Sequence, residues 1–157
     1  MRTEITDKLD RMGVAYTVKP HRNPVFTSED AARERGVRLC QIVKTMVLSD
    51  GRQRVVVAVL PGDRRLDTKR LKKLVRVKNL KFMDQEALSR RFDMVIGAIA
   101  PIADAFESLS MFMDPAVLQE AFIDISSGSP SAGLELASAD LQRLLPDAQV
   151  ATISRPA

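Results

Sequence analysis

The chain has 157 residues, of which 45% are hydrophobic and 28% charged, with a formal net charge of +4. Such a chain can bury one core without staples, so a single domain over residues 1–157 is expected. The one cysteine, Cys40, excludes an intramolecular disulfide, and no apolar run approaches the roughly 20 residues of a membrane helix. The opening MRTEITDKLDRMG carries no apolar run of signal-peptide length, and a cytoplasmic protein is expected.

Thr3 is placed to cap a helix from Glu4 to Met12, with Ile5, Leu9 and Met12 on one face and Gly13 as its stop. Val14 to Val18 alternates as a short strand. Thr27 or Ser28 caps a second helix, Glu29 to Arg35, ended by Gly36. Two strands follow, Ile42 to Leu48 and Arg54 to Leu60. Asp50-Gly51 between them is a hairpin signal, because both residues tolerate positive φ. Pro61-Gly62-Asp63 breaks the chain. Asp67 caps a short basic helix in which Leu71, Leu74 and Val75 face inward. Leu80 to Met83 reads as a strand, and Asp84 caps a helix to Phe92. Met94 to Ile99 is an apolar, glycine-containing segment that ends at Pro101. Ser110 to Met113 and Ala121 to Ile125 read as strands, with a short helix after Asp114. Leu134 to Leu136 gives a further strand, and Ser138 caps a last helix through Leu145. Interspersed strands and helices, with hairpins and irregular crossovers, predict an α/β fold of α+β character. A doubly wound parallel sheet is disfavoured.

Charge is unevenly spread. Nine basic residues lie between Arg64 and Lys81, among them Lys69, Arg70, Lys72 and Lys73, against one acid, Asp67. From Ile102 onward the balance reverses, with two arginines facing eight carboxylates. A one-sided basic field attracts polyanions, although a solvated charged helix explains the run equally well.

Three segments could carry chemistry. Alternation along Ile42 to Leu48 puts Lys44 on the face of Ile42, Met46 and Leu48. A lysine there either snorkels at the sheet end or lines a cavity and holds an anion. Gly97-Ala98-Ile99-Ala100-Pro101 lets backbone approach a ligand closely, with free N–H groups as donors. Ser126-Ser127-Gly128 follows a strand and offers hydroxyls and amides, or forms an ordinary turn. His21, the one histidine, lies in a Pro-His-Arg-Asn-Pro loop with no nucleophile-elbow sequence in the chain. Cys40 has no evident base partner and suits packing. One cysteine and one histidine cannot make a conventional zinc site, and neither a P-loop nor a dinucleotide fingerprint occurs. No metal or cofactor is therefore expected.

The order of these segments resembles the YbaK-like aminoacyl-tRNA deacylases and the editing insertion of bacterial prolyl-tRNA synthetases. The resemblance runs through Phe26-Thr27-Ser28-Glu29-Asp30-Ala31-Ala32, Ile42 to Leu48, Val55 to Asp63, Gly97 to Pro101, Ile125 to Gly128 and Ala139-Asp140-Leu141. It implies a compact mixed β-sheet, partly barrel-like, with flanking helices. It implies trans-acting hydrolysis of the ester bond of mischarged aminoacyl-tRNA. In that reading Lys44 contacts the tRNA 3′ end and acts in catalysis with Gly97. Thr45, Ala98, Ile99, Ala100, Pro101, Ser126, Ser127, Gly128 and His21 shape the aminoacyl pocket, and Lys69, Arg70, Lys72 and Lys73 meet the tRNA backbone. The partner is mischarged tRNA, with an aminoacyl-tRNA synthetase as a second candidate and no membrane. Some relatives have a histidine shortly after the last glycine, where this chain has Ser129-Pro130-Ser131. Two alternatives stay open: a non-catalytic module that binds tRNA or a small ligand, and a hydrolase of small esters or thioesters.

Overall fold

The computed structural model describes residues Met1–Ala157. Helix α1 (Glu4–Arg11) starts on a reciprocal cap. Thr3 Oγ1 accepts from Thr6 N–H, and Thr6 Oγ1 accepts from Thr3 N–H. Ile5 and Leu9 are buried, but Met12 closes the helix and is half exposed, which corrects its expected place on the apolar face. Val14 N–H bonds back to Leu9. That tie delays the first strand, β1, to Thr17–Pro20 rather than Val14 to Val18.

Helix α2 (Ser28–Arg35) is capped by Thr27 and ends on Gly36, whose φ of 66° is left-handed. The hairpin around Gly51 joins β2 (Val43–Ser49) to β3 (Val55–Pro61). Every residue of β3 is buried, as a strand covered on both faces requires. The short strand β4 (Arg64–Leu66) precedes α3 (Thr68–Val75), which Asp67 caps. Leu71 and Val75 of α3 are buried; Leu74 is 42% exposed, contrary to the inward face expected for it. Strand β5 (Lys81–Phe82), helix α4 (Gln85–Phe92) and strand β6 (Ser110–Met113) follow. A 3-10 turn over Pro115–Gln119 then leads to β7 (Phe122–Ser126) and β8 (Ala132–Ala137). Helix α5 spans Ser138–Leu144, with Ala137 rather than Ser138 in the capping position. Strands β9 (Gln149–Val150) and β10 (Ser154–Pro156) finish the chain.

The strands form three sheets, ordered β1-β8-β7, β10-β4 and β5-β2-β3-β6-β9. The first is antiparallel; the third is mixed, with β3–β6 and β6–β9 parallel. The fold is therefore mixed α/β as expected, without a closed barrel. One core lies between the two larger sheets and takes Val43 and Val47 of β2, Val57 and Val59 of β3, and Ile123, Ile125 and Leu134 from the smaller sheet. A second covers the opposite face of β2 and β3, where Leu48, Ala58 and Leu60 meet Leu71, Val75 and Ile153. The smaller sheet touches the larger through a parallel bridge between Ile42 and Asp124. No helix is long and apolar enough to cross a membrane.

Candidate functional site

The hydrogen bond from Gly62 N–H to Ile42 C=O, at 2.7 Å, sets the phase of the β2–β3 ladder. In an antiparallel pair such bonds recur at every second residue. Lys44, Met46 and Leu48 thus spend their backbone groups on β3, and Val43, Thr45 and Val47 turn theirs to the outer edge. Val43 lies beside the bridge to Asp124, and Val47 C=O accepts from Met83 N–H at 2.9 Å. Between these two ties the edge of β2 is open at Thr45.

A cavity of about 420 Å³ lies against this opening. Helix α2 and its approach form one wall, through Phe26, Ser28, Glu29 and Arg35, and the segment holding Ile96, Gly97 and Ile99 forms another. Phe82 and Met83 close the β5 side, with Ser126 at the end of β7. The lining is mostly apolar with a few polar groups, as small-ligand sites are.

Lys44 is half-buried and makes no ion pair within 4.0 Å. Burial lowers its pKa, against the opposing pull of Glu29 and Asp63. Thr45 Oγ1 is sealed from solvent and bonds to no group of the chain.

The Gly97 loop is held from outside. Gln85 Oε1 accepts from Ile96 N–H at 2.7 Å, and its Nε2 donates to Met94 C=O at 3.0 Å. Gly97 has φ 92°, and a Cβ there would stand 2.6 Å from Val25 C=O. Only glycine lets this loop lie on the segment before α2. Ala98 N–H is spent on Val95 C=O, whereas Gly97 and Ile99 N–H donate to no group of the chain.

Behind the cavity lies a buried polar group of residues. Arg35, from the last turn of α2, is 9% exposed. Its Nε donates to His21 Nε2 at 3.0 Å, and Nη1 donates to Ile125 C=O at 3.4 Å. His21 in turn places Nδ1 at 2.8 Å from Pro130 C=O, an arrangement that requires the hydrogen on Nδ1. The guanidinium lies on Gly133, where a Cβ would stand 2.1 Å from Cζ. Asp124 is fully buried, and neither of its carboxylate oxygens has a hydrogen-bond partner. Burial pushes its pKa up to about 7; Arg35 and Lys19 pull it down, and Glu135, its cross-strand neighbour, pushes it further up.

The aminoacyl-tRNA editing domain profile matches residues 22–144. The chain belongs to the aminoacyl-tRNA editing domain family. It is similar to a proline–tRNA ligase of Fervidobacterium nodosum, at 33% identity over 98 residues, which is 62% of this chain but 16% of the ligase. The chain thus spans a small part of that curated relative. Among solved structures, a hypothetical protein, APE2540, superposes with a TM-score of 0.85 at 22% identity, covering 98% of this chain and all of that one. A candidate trans-editing enzyme for prolyl tRNA synthetase superposes with a TM-score of 0.82 at 22% identity, covering 99% of both chains. At that identity the two likenesses show the fold.

Of the residues expected at the site of this editing domain, Lys44, Thr45, Gly97, Ile99 and Ser126 line one cavity. The others lie elsewhere. Ala98 and Ala100 do not line it, and Pro101 lines a second cavity of about 430 Å³ beside α1 and α5. Ser127 is fully buried; its hydroxyl donates to Ala132 C=O at 2.6 Å, and its own C=O accepts from Thr3 Oγ1 at 2.6 Å. Gly128 lies against Ile5 of the first helix and its cap, Thr3. His21 reaches the cavity only through Arg35. Lys69, Arg70 and Lys73 are exposed on α3 with Lys72 half-buried, and none of the four lines the cavity. Cys40 donates to Glu120 Oε1 at 3.1 Å, and burial raises its thiol pKa, so it is poorly suited to be a nucleophile.

Arg35, Gln85 and Asp124 stand at or behind the site without having been expected there. Arg35 had a signal: it lies four residues after Ala31, and both are buried on one face of α2. Gln85 and Asp124 matter through partners distant in sequence, which no local pattern reveals.

Proposed function

We propose that this editing domain hydrolyses the ester bond of mischarged aminoacyl-tRNA in trans, with the aminoacyl group in the β2-edge cavity. The observation that carries this reading is the convergence of Lys44, Thr45, Gly97 and Ile99 on that cavity. An aminoacyl ester is already activated, so its hydrolysis needs position and charge stabilisation more than a strong base. Water adds to the carbonyl carbon, and the free N–H groups of Gly97 and Ile99 with the Lys44 ammonium stabilise the oxyanion. The carbonyl re-forms as the bond to the ribose oxygen breaks. The water's proton ends on that oxygen, relayed by the neighbouring ribose hydroxyl. The amino acid and an uncharged tRNA leave. The tRNA backbone then follows the basic face of α3, and a synthetase is a second candidate partner.

The test is a panel of mischarged tRNAs, including Cys-, Ala- and Ser-tRNA(Pro), offered to the wild type and to Lys44→Ala. Release of one amino acid by the wild type is expected, falling about 10²- to 10³-fold in the variant, as for loss of one oxyanion donor. Binding of tRNA without release of any amino acid would leave a binding module in place of an enzyme.

A further inference from the structure

Arg35 has a donor to spare. Its Nε and Nη1 are engaged by His21 and Ile125, but Nη2 bonds to no group of the chain. No carboxylate lies within 4.0 Å of it, Asp124 included. Nη2 is also absent from the side-chain atoms that are both sealed and partnerless, so it keeps some exposure, and Arg35 is one of the residues that line the cavity. The bonds to His21 and Ile125 and the flat seat on Gly133 fix the guanidinium. An apolar ligand that filled the cavity would leave this donor unpaired, which is costly.

Building on the deacylase reading, the geometry points to Arg35 as a specificity-determining residue that selects aminoacyl groups whose side chain presents an oxygen acceptor. Arg35 Nη2 donates to that oxygen. A hydroxyl and a carboxylate share this chemistry. An ethyl or isobutyl side chain of like size fills the space and leaves that donor unsatisfied. A site built around such donors rejects the deoxygenated isostere far better than an apolar pocket rejects an added hydroxyl.

The test measures binding of non-hydrolysable aminoacyl-amide analogues of 3′-amino-adenosine, so it does not depend on turnover. Seryl is compared with 2-aminobutyryl, and aspartyl with leucyl, by calorimetry on the wild type and on Arg35→Met. In at least one pair the oxygen-bearing probe is expected to bind about tenfold or more tightly, with the preference lost in the variant. The pair with the larger preference tells hydroxyl from carboxylate. Guanidinium ¹⁵N resonances of wild-type Arg35 should shift with the favoured probe and not with its isostere, which keeps the test decisive should the variant fail to fold. Equal affinities within both pairs, or a preference that survives Arg35→Met, would overturn the inference even with deacylase activity intact. Hydrolysis of mischarged tRNA with no probe bound would overturn it too. A clear preference with no tRNA hydrolysed would sustain it and sink the deacylase reading instead.

Discussion

Asp124 shows what a single residue can cost. Its carboxyl holds a proton to about pH 7 in the fold, against a reference of 3.8 when free. Between those values the folded state binds more protons than the unfolded chain. Stability must then fall as pH rises through that window, by up to about 1.4 kcal/mol per pH unit, and level off above it. Asp124→Asn removes the slope. Urea denaturation at about pH 5 and about pH 8 should show the variant gaining on the wild type at the higher value. Parallel profiles would mean that Asp124 is ionised in the folded protein throughout. Sequence could place Lys44 by strand alternation, since period two and its apolar neighbours put it beside Met46 and Leu48. It could not place Asp124, whose surroundings come from α2, β8 and β1, all remote in the chain.

Among the elements, those set by local chemistry were legible and those set by distant pairing were not. Thr3, Thr27, Asp67 and Asp84 each cap the helix expected of them. The turn at Asp50-Gly51 joins the two strands expected on either side. By contrast β4, β9 and β10 were missed, because each is only two or three residues long and exists through its partner. β10 is additionally pinned by Asp114, whose Oδ2 accepts from Ile153 N–H, Ser154 N–H and Ser154 Oγ at 3.0, 3.0 and 2.7 Å. Burial pushes the Asp114 pKa up, but these bonds and that from Ala116 outweigh it and lower the pKa overall. Asp114→Ala orphans buried donors and frees β10 from the second core, where Ile153 is fully buried. A loss of about 3 kcal/mol is expected from the urea midpoint. A loss below about 1 kcal/mol would show that β10 is held by its pairing with β4 alone.

At the scale of the whole molecule, the chemistry and the charge occupy different places. The cavity opens at the edge of β2, and the basic residues ride on α3, over the second core. If that face tracks a nucleic-acid backbone, tRNA affinity falls with salt. Neutralising Lys69, Arg70 and Lys73 together should flatten the log–log salt dependence by about 0.7 to 0.9 per lost phosphate contact. An unchanged slope would place the tRNA elsewhere. The α/β class and the convergence of Lys44 with Gly97 were within reach of sequence, because family order carries them. The separation of Ser126 from Ser127 and Gly128 was not, since it depends on α1 packing behind the turn. The opening in β2 has one more consequence, for amide hydrogen exchange. Lys44 and Met46 bond to β3 and should exchange slowly, whereas the Thr45 amide between them should exchange fast in the middle of a regular strand. An occupant that pairs with the edge would slow that one amide and leave its neighbours unchanged. Thr45 would then act as a built-in probe of site occupancy.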